Sequence, residues 1–447
     1  MQTTTKTLLT SLIAITAACG GDEHPATPDA APVVHDAPPP LPDAPPMAMP
    51  CGTLVPSAIA ADPAWVGTNR ADLTAWFDSA GCMSPGYDPN HKPVALFDWD
   101  NTLSKNDFGD AITFYMITHG KVIQPTNHDW HTTSAYMTDA AATALSTACG
   151  TTIADGLSLH TDTNTACANE ILNVYTSSGT WATAAAFAGW NWRWIEPTYA
   201  WTAQLMAGYT HAELQTFMLD AVSTQLTAAV GTTQTVGTTT GLNAWLRIYD
   251  QQKELVKALQ TRGYDVWVIT ASPQDAIAAV APMAGIAADH VVGIRSMTDA
   301  NGKLTYRFEG CGPLADGQGA MISYIQGKRC FVNKYIFGDT GPRALDRRAD
   351  GKRQVFAAGD SDTDIEFLRD AKYKFVLNRN KKELMCSAYY DDNDSWRINP
   401  MFIGPKAVAS PYSCPTTACR DENGATLACR DLGGNIIPIE NDTVHVP

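Results

Sequence analysis

Positive charge is scarce in this 447-residue chain, with 31 Lys and Arg against 46 Asp and Glu for a formal net charge of −15. That balance argues against a nucleic-acid partner, because holding a phosphate backbone takes clustered Lys and Arg to displace counterions. An anionic substrate would need positive charge placed locally. The apolar run at residues 8–18 is too short to span a bilayer. No two cysteines stand in Cys-x-x-Cys spacing, which argues against zinc knuckles and dithiol redox sites. No fixed-period repeat is found, so one core with appended modules is expected rather than an array of equal units.

What is present begins with an export pattern. Lys6 precedes the apolar run, which ends in Thr16-Ala17-Ala18-Cys19. This tetrapeptide resembles a bacterial lipobox, with Thr16 where Leu is usual, and predicts a lipoprotein signal over residues 1–19 that ends at an acylated Cys19, the mature N-terminus. Gly20 rather than Asp follows the cysteine, which favours the outer membrane as destination in a cell with two membranes. Residues 20–50 are dominated by Pro, Ala and Asp, a composition that cannot bury enough apolar surface to fold and reads as a disordered tether. Setting Cys19 aside, Cys51, Cys82, Cys149, Cys167, Cys311, Cys330, Cys386, Cys414, Cys419 and Cys429 remain. An even number in an exported chain predicts disulfides, with a connectivity that sequence leaves open.

Apolar runs rich in Val, Ile and Phe alternate with helical patterns, which predicts an α/β fold around a parallel sheet. Three of the runs lead into polar residues: Val94-Ala95-Leu96-Phe97 into Asp98, Val266-Trp267-Val268-Ile269 into Thr270, and Val355-Phe356-Ala357-Ala358 into Gly359-Asp360. In open parallel sheets ligands bind at the carboxyl ends of strands. Leu242, Trp245, Leu246, Tyr249, Val256 and Leu259 follow a helical spacing closed by Gly263, predicting a crossover helix before the second run. Residues 118–241 lack the strand–helix alternation and read as a helical, aromatic-rich insertion. Residues 51–117 and 242–447 form the remaining core, with a hairpin around Asp299-Ala300-Asn301-Gly302, a strand at Phe375-Val376-Leu377 and a loop-rich, cysteine-bearing end.

The chemistry concentrates at those strand ends. Asp98 and Asp100 in Asp98-Trp99-Asp100-Asn101-Thr102 can converge on one centre, one carboxylate attacking phosphorus while the other moves the proton. By itself the pattern could be a solvated acidic turn. A second acidic loop, Gly359-Asp360-Ser361-Asp362-Thr363-Asp364, offers the oxygen donors that Mg²⁺ takes and lacks the glycine and terminal Glu of a calcium-binding EF-hand loop. Thr270 and Lys328 supply the hydroxyl and fixed cation that a phosphoryl group requires. Lys334 competes with Lys328, but Phe331, Val332 and Tyr335 give the spacing expected of a helix opened by Lys328.

In this order the four motifs resemble those of the haloacid dehalogenase superfamily, in the branch around phosphoserine and phosphorylcholine phosphatases, across roughly residues 60–400. The resemblance implies a Rossmannoid parallel-sheet core with a C1-type cap after the first motif strand. It further implies Asp98 as nucleophile and metal ligand, and Asp100 as acid/base with its carbonyl on the metal. Asp360 and Asp364 would complete the Mg²⁺ site, with Thr270 and Lys328 on the phosphoryl group. The second Asp favours phosphoryl transfer over carbon–halogen cleavage. Aromatic faces attract quaternary ammonium, so Trp190, Trp192 and Trp194 in the insertion, with Asp107 and Asp110 after the first motif, would suit a small cationic ester such as phosphocholine. The same tryptophans could instead pack one side of an extended segment, and the two aspartates could serve a helix N-terminus. Phosphoserine or another small monoester is the alternative substrate, and a surface lipoprotein that binds without turnover is the alternative of another class. The expected partners are thus a small phosphomonoester and, through Cys19, a bacterial membrane.

Overall fold

The computed structural model describes residues 51–391 and 393–445; the export signal, Cys19 and the Pro/Ala/Asp-rich tether lie outside the described residues. Helix α1 (Asn69–Ala80) precedes strand β1 (Val94–Phe97), whose sequence VALF is apolar throughout because helices cover both faces of the sheet. A tight turn over Trp99–Leu103 leads to the short strand β2 (Ser104–Lys105) and to helix α2 (Phe108–Thr118). Helices α3 (Asp139–Cys149), α4 (Thr165–Ser177), α5 (Pro197–Gln204) and α6 (His211–Gln225) follow, then the hairpin of β3 (Thr233–Val236) and β4 (Thr239–Asn243). Among these, α6 starts on a capping box in which Thr210 and Glu213 satisfy each other's backbone amides. The stretch expected to be helical and aromatic-rich thus holds four α-helices joined by long loops, with one hairpin at its end.

One expectation needs correction. The crossover helix does not begin near Leu242, which lies in β4; residues Arg247–Ile248 form strand β5, paired with β2, and only Asp250–Gln260 is helical (α7). Ribbon and helix both bury apolar side chains, so the spacing of Trp245, Leu246 and Tyr249 could not separate them. Gly263 does follow α7, at φ +78°, packed so closely on the Tyr87 hydroxyl that a Cβ would collide with it.

Strand β6 (Asp265–Pro273), helix α8 (Gln274–Val280) and β7 (Val291–Ile294) continue the core. Strands β8 (Ser296–Thr298) and β9 (Leu304–Phe308) make the expected hairpin across Asp299–Gly302. Helix α9 (Gln326–Tyr335), β10 (Phe356–Gly359), α10 (Ile365–Asp370), β11 (Tyr373–Asn378), α11 (Lys382–Tyr390) and β12 (Trp396–Pro400) complete it. A small ribbon, β13 (Cys419–Arg420) with β14 (Thr426–Leu427), lies in the C-terminal extension.

The sheet order is β12-β11-β10-β1-β6-β7, and every neighbouring pair is parallel. This is the expected α/β, Rossmannoid parallel-sheet core. After β1 the chain adds β6 and β7 on one side, then returns to the other side of β1 to lay down β10, β11 and β12. The winding direction thus reverses between β1 and β10, and the crevice beyond their carboxyl ends is where such sheets bind ligands.

The ten described cysteines pair with their sequence neighbours: Cys51–Cys82, Cys149–Cys167, Cys311–Cys330, Cys386–Cys414 and Cys419–Cys429. Cys149–Cys167 ties α3 to α4, and Cys386–Cys414 ties α11 to the C-terminal extension. Among the described residues no helix is long and apolar enough to cross a membrane.

Candidate active site

The first and fourth motifs meet at the reversal point of the sheet. Asp98 directly follows β1, its amide donating to the Ala358 carbonyl of β10 at 3.0 Å. The turn after it needs Asn101 at φ 61°, a left-handed conformation that Asn tolerates. Beyond β10, Asp364 folds back so that its Oδ2 accepts the amides of Asp360 (2.9 Å) and Ser361 (3.0 Å). Gly359 permits this, since a Cβ there would stand 2.8 Å from the Asp364 side chain.

Lys328, in the first turn of α9 and 0% exposed, places Nζ 2.7 Å from Asp98 Oδ1 and 2.6 Å from Asp364 Oδ1. Burial works against its charge, but Asp364 and Asp98 outweigh burial and raise its pKa above the ordinary lysine value. Lys334 points elsewhere, donating to the Gly310 carbonyl with Glu309 nearby. Thr102 Oγ1 donates to Asp360 Oδ1 at 2.8 Å and reaches Asp98 Oδ2 at 3.3 Å, while Arg379 Nη1 lies 2.5 Å from Asp360 Oδ2.

Asp100 is held apart from this cluster. Its two oxygens accept from the Phe108 amide (2.7 Å) and the Ser272 hydroxyl (2.6 Å). Burial and then the Asp107 charge push its pKa well up, against those two hydrogen bonds. Asp98 is also pushed up, first by burial, then by Asp364, with Lys328 opposing.

Carboxylate oxygens of Asp98, Asp360 and Asp364 lie within 4.8 Å of one another, all three residues buried. With Asp100 they are four acids against two contacting cations, Lys328 and Arg379. An all-oxygen donor set with surplus negative charge fits a hard divalent cation such as Mg²⁺.

Above this floor opens a cavity of about 600 Å³ lined by Asp98, Asp100, Asp107, Ser272 and Arg379 below and by Tyr175, Trp190, Trp192, Tyr199 and Arg420 around it. Its aromatic wall overlaps only partly with expectation. Trp190 and Trp192 line it, but Trp194 does not: its Nε1 donates to Gln326 Oε1 at 2.7 Å. Trp192 is itself covered by the Arg420 guanidinium, 4.9 Å from the ring centroid. Thr270 is fully buried and absent from the lining; its Oγ1 accepts the Ser272 amide at 3.1 Å, and Ser272 is the hydroxyl that faces the cavity.

Asp107 lines the cavity and also caps α2, accepting the Asp110 amide at 3.1 Å, so the helix-terminus reading holds for it. Asp110 lies behind the lining and accepts the Tyr175 hydroxyl at 2.6 Å. Ser272, Arg379, Tyr175 and Arg420 were missed in the sequence, where none belongs to a motif.

Burial and the Asp107 charge push Asp110 up to about 7, with the Tyr175 hydrogen bond opposing. An unfolded Asp titrates near ~4, so between that value and about 7 the folded chain keeps a proton that the unfolded chain has lost. Stability therefore falls as pH rises through this window and is level above it. Asp110→Asn is expected to be more stable than wild type at pH 8, by on the order of a few kcal/mol, and no more stable at pH 4. Denaturant unfolding of both chains at the two pH values checks this; an advantage independent of pH would sink it.

The fold and the site together define an α/β protein with a Rossmannoid parallel-sheet core and a buried carboxylate–lysine centre. No protein-family model and no curated protein matches the chain. Among solved structures it is similar to a conserved functionally unknown protein from Anaerococcus prevotii DSM 20548, at 17% identity and TM-score 0.53, covering 77% of this chain and 94% of that one. A phosphoserine phosphatase in substrate-bound form aligns over 64% of this chain and 86% of its own, at 14% identity and TM-score 0.28. A phosphoserine phosphohydrolase-like protein from Francisella tularensis subsp. tularensis SCHU S4 aligns over 64% and 88%, at 12% identity and TM-score 0.30. At 17% identity the likeness to the Anaerococcus protein is one of fold.

Proposed function

We propose that the chain is a metal-dependent phosphomonoester hydrolase working through an aspartyl-phosphate on Asp98. The observation that carries this reading is the buried meeting of Asp98, Asp360, Asp364 and Lys328, with Asp98 on the cavity lining and Asp100 separately held beside it. Asp98 Oδ attacks phosphorus, and the bond to the leaving oxygen breaks. Asp100 gives that oxygen its proton and then takes one from the water that opens the acyl phosphate, a role its raised pKa supports. Ser272 and the Phe108 amide fix Asp100 in orientation throughout. Lys328 offsets charge on the phosphoryl oxygens. Mg²⁺ held by Asp98, Asp360, Asp364 and the Asp100 carbonyl would neutralise the remaining charge.

For the substrate we favour a small cationic organophosphate such as phosphocholine. Tyr175, Trp190 and Tyr199 supply ring faces and Asp107 a carboxylate on the same cavity, a combination that attracts ammonium. Residues 118–241 would act as the cap that selects it. Lys381 and Arg420 on the same lining favour a second reading, an ester with a further anionic group such as phosphoserine. The five disulfides support an exported protein. Acylation of Cys19 and attachment to the outer membrane belong to the same proposal, and labelling with a radioactive fatty acid checks it.

Phosphate release from a panel of monoesters, with Mg²⁺ or with EDTA, tests the reading. Turnover should vanish in EDTA, return with Mg²⁺, and be greatest for phosphocholine. Preference for phosphoserine would move the substrate to the second reading. No turnover from folded, metal-loaded protein would leave a binding lipoprotein.

A further inference from the structure

Arg379, just beyond β11, sits where the metal reading and the cavity overlap. Its guanidinium is 2.5 Å from Asp360 Oδ2, while Asp360 is 0% exposed and its Oδ1 already accepts from Thr102. A carboxylate buried this deeply must be paired, and Arg379 is the cation that pairs it here. Yet the Arg379 side chain is 26% exposed and lines the cavity, so its stem approaches Asp360 from the side on which a substrate would lie. A divalent cation on Asp360 would compete with the guanidinium for the same carboxylate. Once released, the planar fork faces the cavity, and its geometry matches phosphoryl oxygens better than a point charge does.

We propose that Arg379 is a phosphoryl-positioning residue, held on Asp360 until a divalent cation displaces it, so that cation and phosphoryl anion bind cooperatively. The proposal rests on the metal-dependent reading above. It gives the arginine two alternative partners, Asp360 without metal and the substrate's phosphoryl oxygens with it, and binding linkage then requires each ligand to strengthen the other.

Titration of the purified full chain with Mn²⁺, followed by electron paramagnetic resonance with and without inorganic phosphate, tests this. Arg379→Met keeps the aliphatic stem and removes the charge. It should bind Mn²⁺ alone several-fold more tightly than wild type and, once Mn²⁺-loaded, bind phosphate on the order of tenfold more weakly. Arg379→Lys, which can still pair with Asp360, should bind Mn²⁺ like wild type and recover part of the phosphate affinity. A crystal structure of Mn²⁺-loaded wild type should show the guanidinium withdrawn from Asp360, a readout that needs no variant to fold. Unchanged Mn²⁺ affinity in Arg379→Met, unchanged phosphate affinity, or an arginine still on Asp360 beside the metal would each overturn the proposal while leaving the metal reading intact. A wild type that binds no Mn²⁺ would remove both.

Discussion

Asp98→Asn is expected to release no measurable phosphate, a fall of roughly 10⁴-fold or more, while the folded chain still binds its ester. An amide of nearly the same shape keeps the hydrogen-bonding outline at the end of β1 but cannot attack phosphorus. The fold should tolerate the change. In wild type, Asp98 is pressed by the Asp364, Asp360 and Asp100 charges in a buried site, and Lys328 is shared between Asp98 and Asp364. Removing one of these carboxylates relieves repulsion and leaves Lys328 on Asp364, so the metal-free variant should melt no lower than wild type. Turnover by Asp98→Asn within tenfold of wild type would make Asp98 a bystander. Loss of turnover together with loss of ester binding would point to a collapsed site instead of a missing nucleophile. The non-catalytic alternative makes a different forecast, namely ester binding in both chains and hydrolysis in neither.

Much of this centre was legible because it hangs on strand ends. The run of Val94 to Phe97 is β1 to the residue, and the second acidic loop begins where β10 stops. Apolar runs buried on both faces are hard to hide in a sequence, and acids placed directly after them stand out. Lys328 was legible for a related reason, since the apolar residues following it mark the buried face of α9. Residues whose role depends on adjacency in space stayed hidden. Arg379 reaches Asp360 because β11 lies next to β10, a fact of sheet order that no local spacing encodes. Arg420 reaches Trp192 across more than two hundred residues, through an extension held by Cys386–Cys414. Thr270 and Ser272 are both small hydroxyls two apart in β6, and only the structure shows which one faces the cavity. The three alternating tryptophans carried a similar ambiguity, because their segment is a turn, not a strand, and sends Trp194 toward Gln326.

The choice between the two candidate lysines can be read from stability alone, before any assay. Lys328→Met should cost the metal-free chain roughly 3–5 kcal/mol, because it leaves the buried carboxylates of Asp98 and Asp364 without their shared cation. Lys334→Met should cost less than about 1 kcal/mol, since that side chain is 26% exposed and its partners, the Gly310 carbonyl and Glu309, remain open to solvent. The pH dependence gives a second signature. The raised pKa of Lys328 means that its contribution is fully present below the unfolded lysine value near ~10.4 and is lost only as pH rises through the folded value. The deficit of Lys328→Met should therefore hold steady from neutral pH to about 10, and shrink in acid as the stranded carboxylates take up protons. A divalent cation should also rescue this variant more than it stabilises wild type, because the ion supplies the positive charge that the lysine no longer does. Thermal melts of the three chains with EDTA or Mg²⁺, at pH 5 and pH 8, separate these cases. Equal deficits for the two lysine variants, or no rescue by metal, would remove Lys328 from the centre of the site.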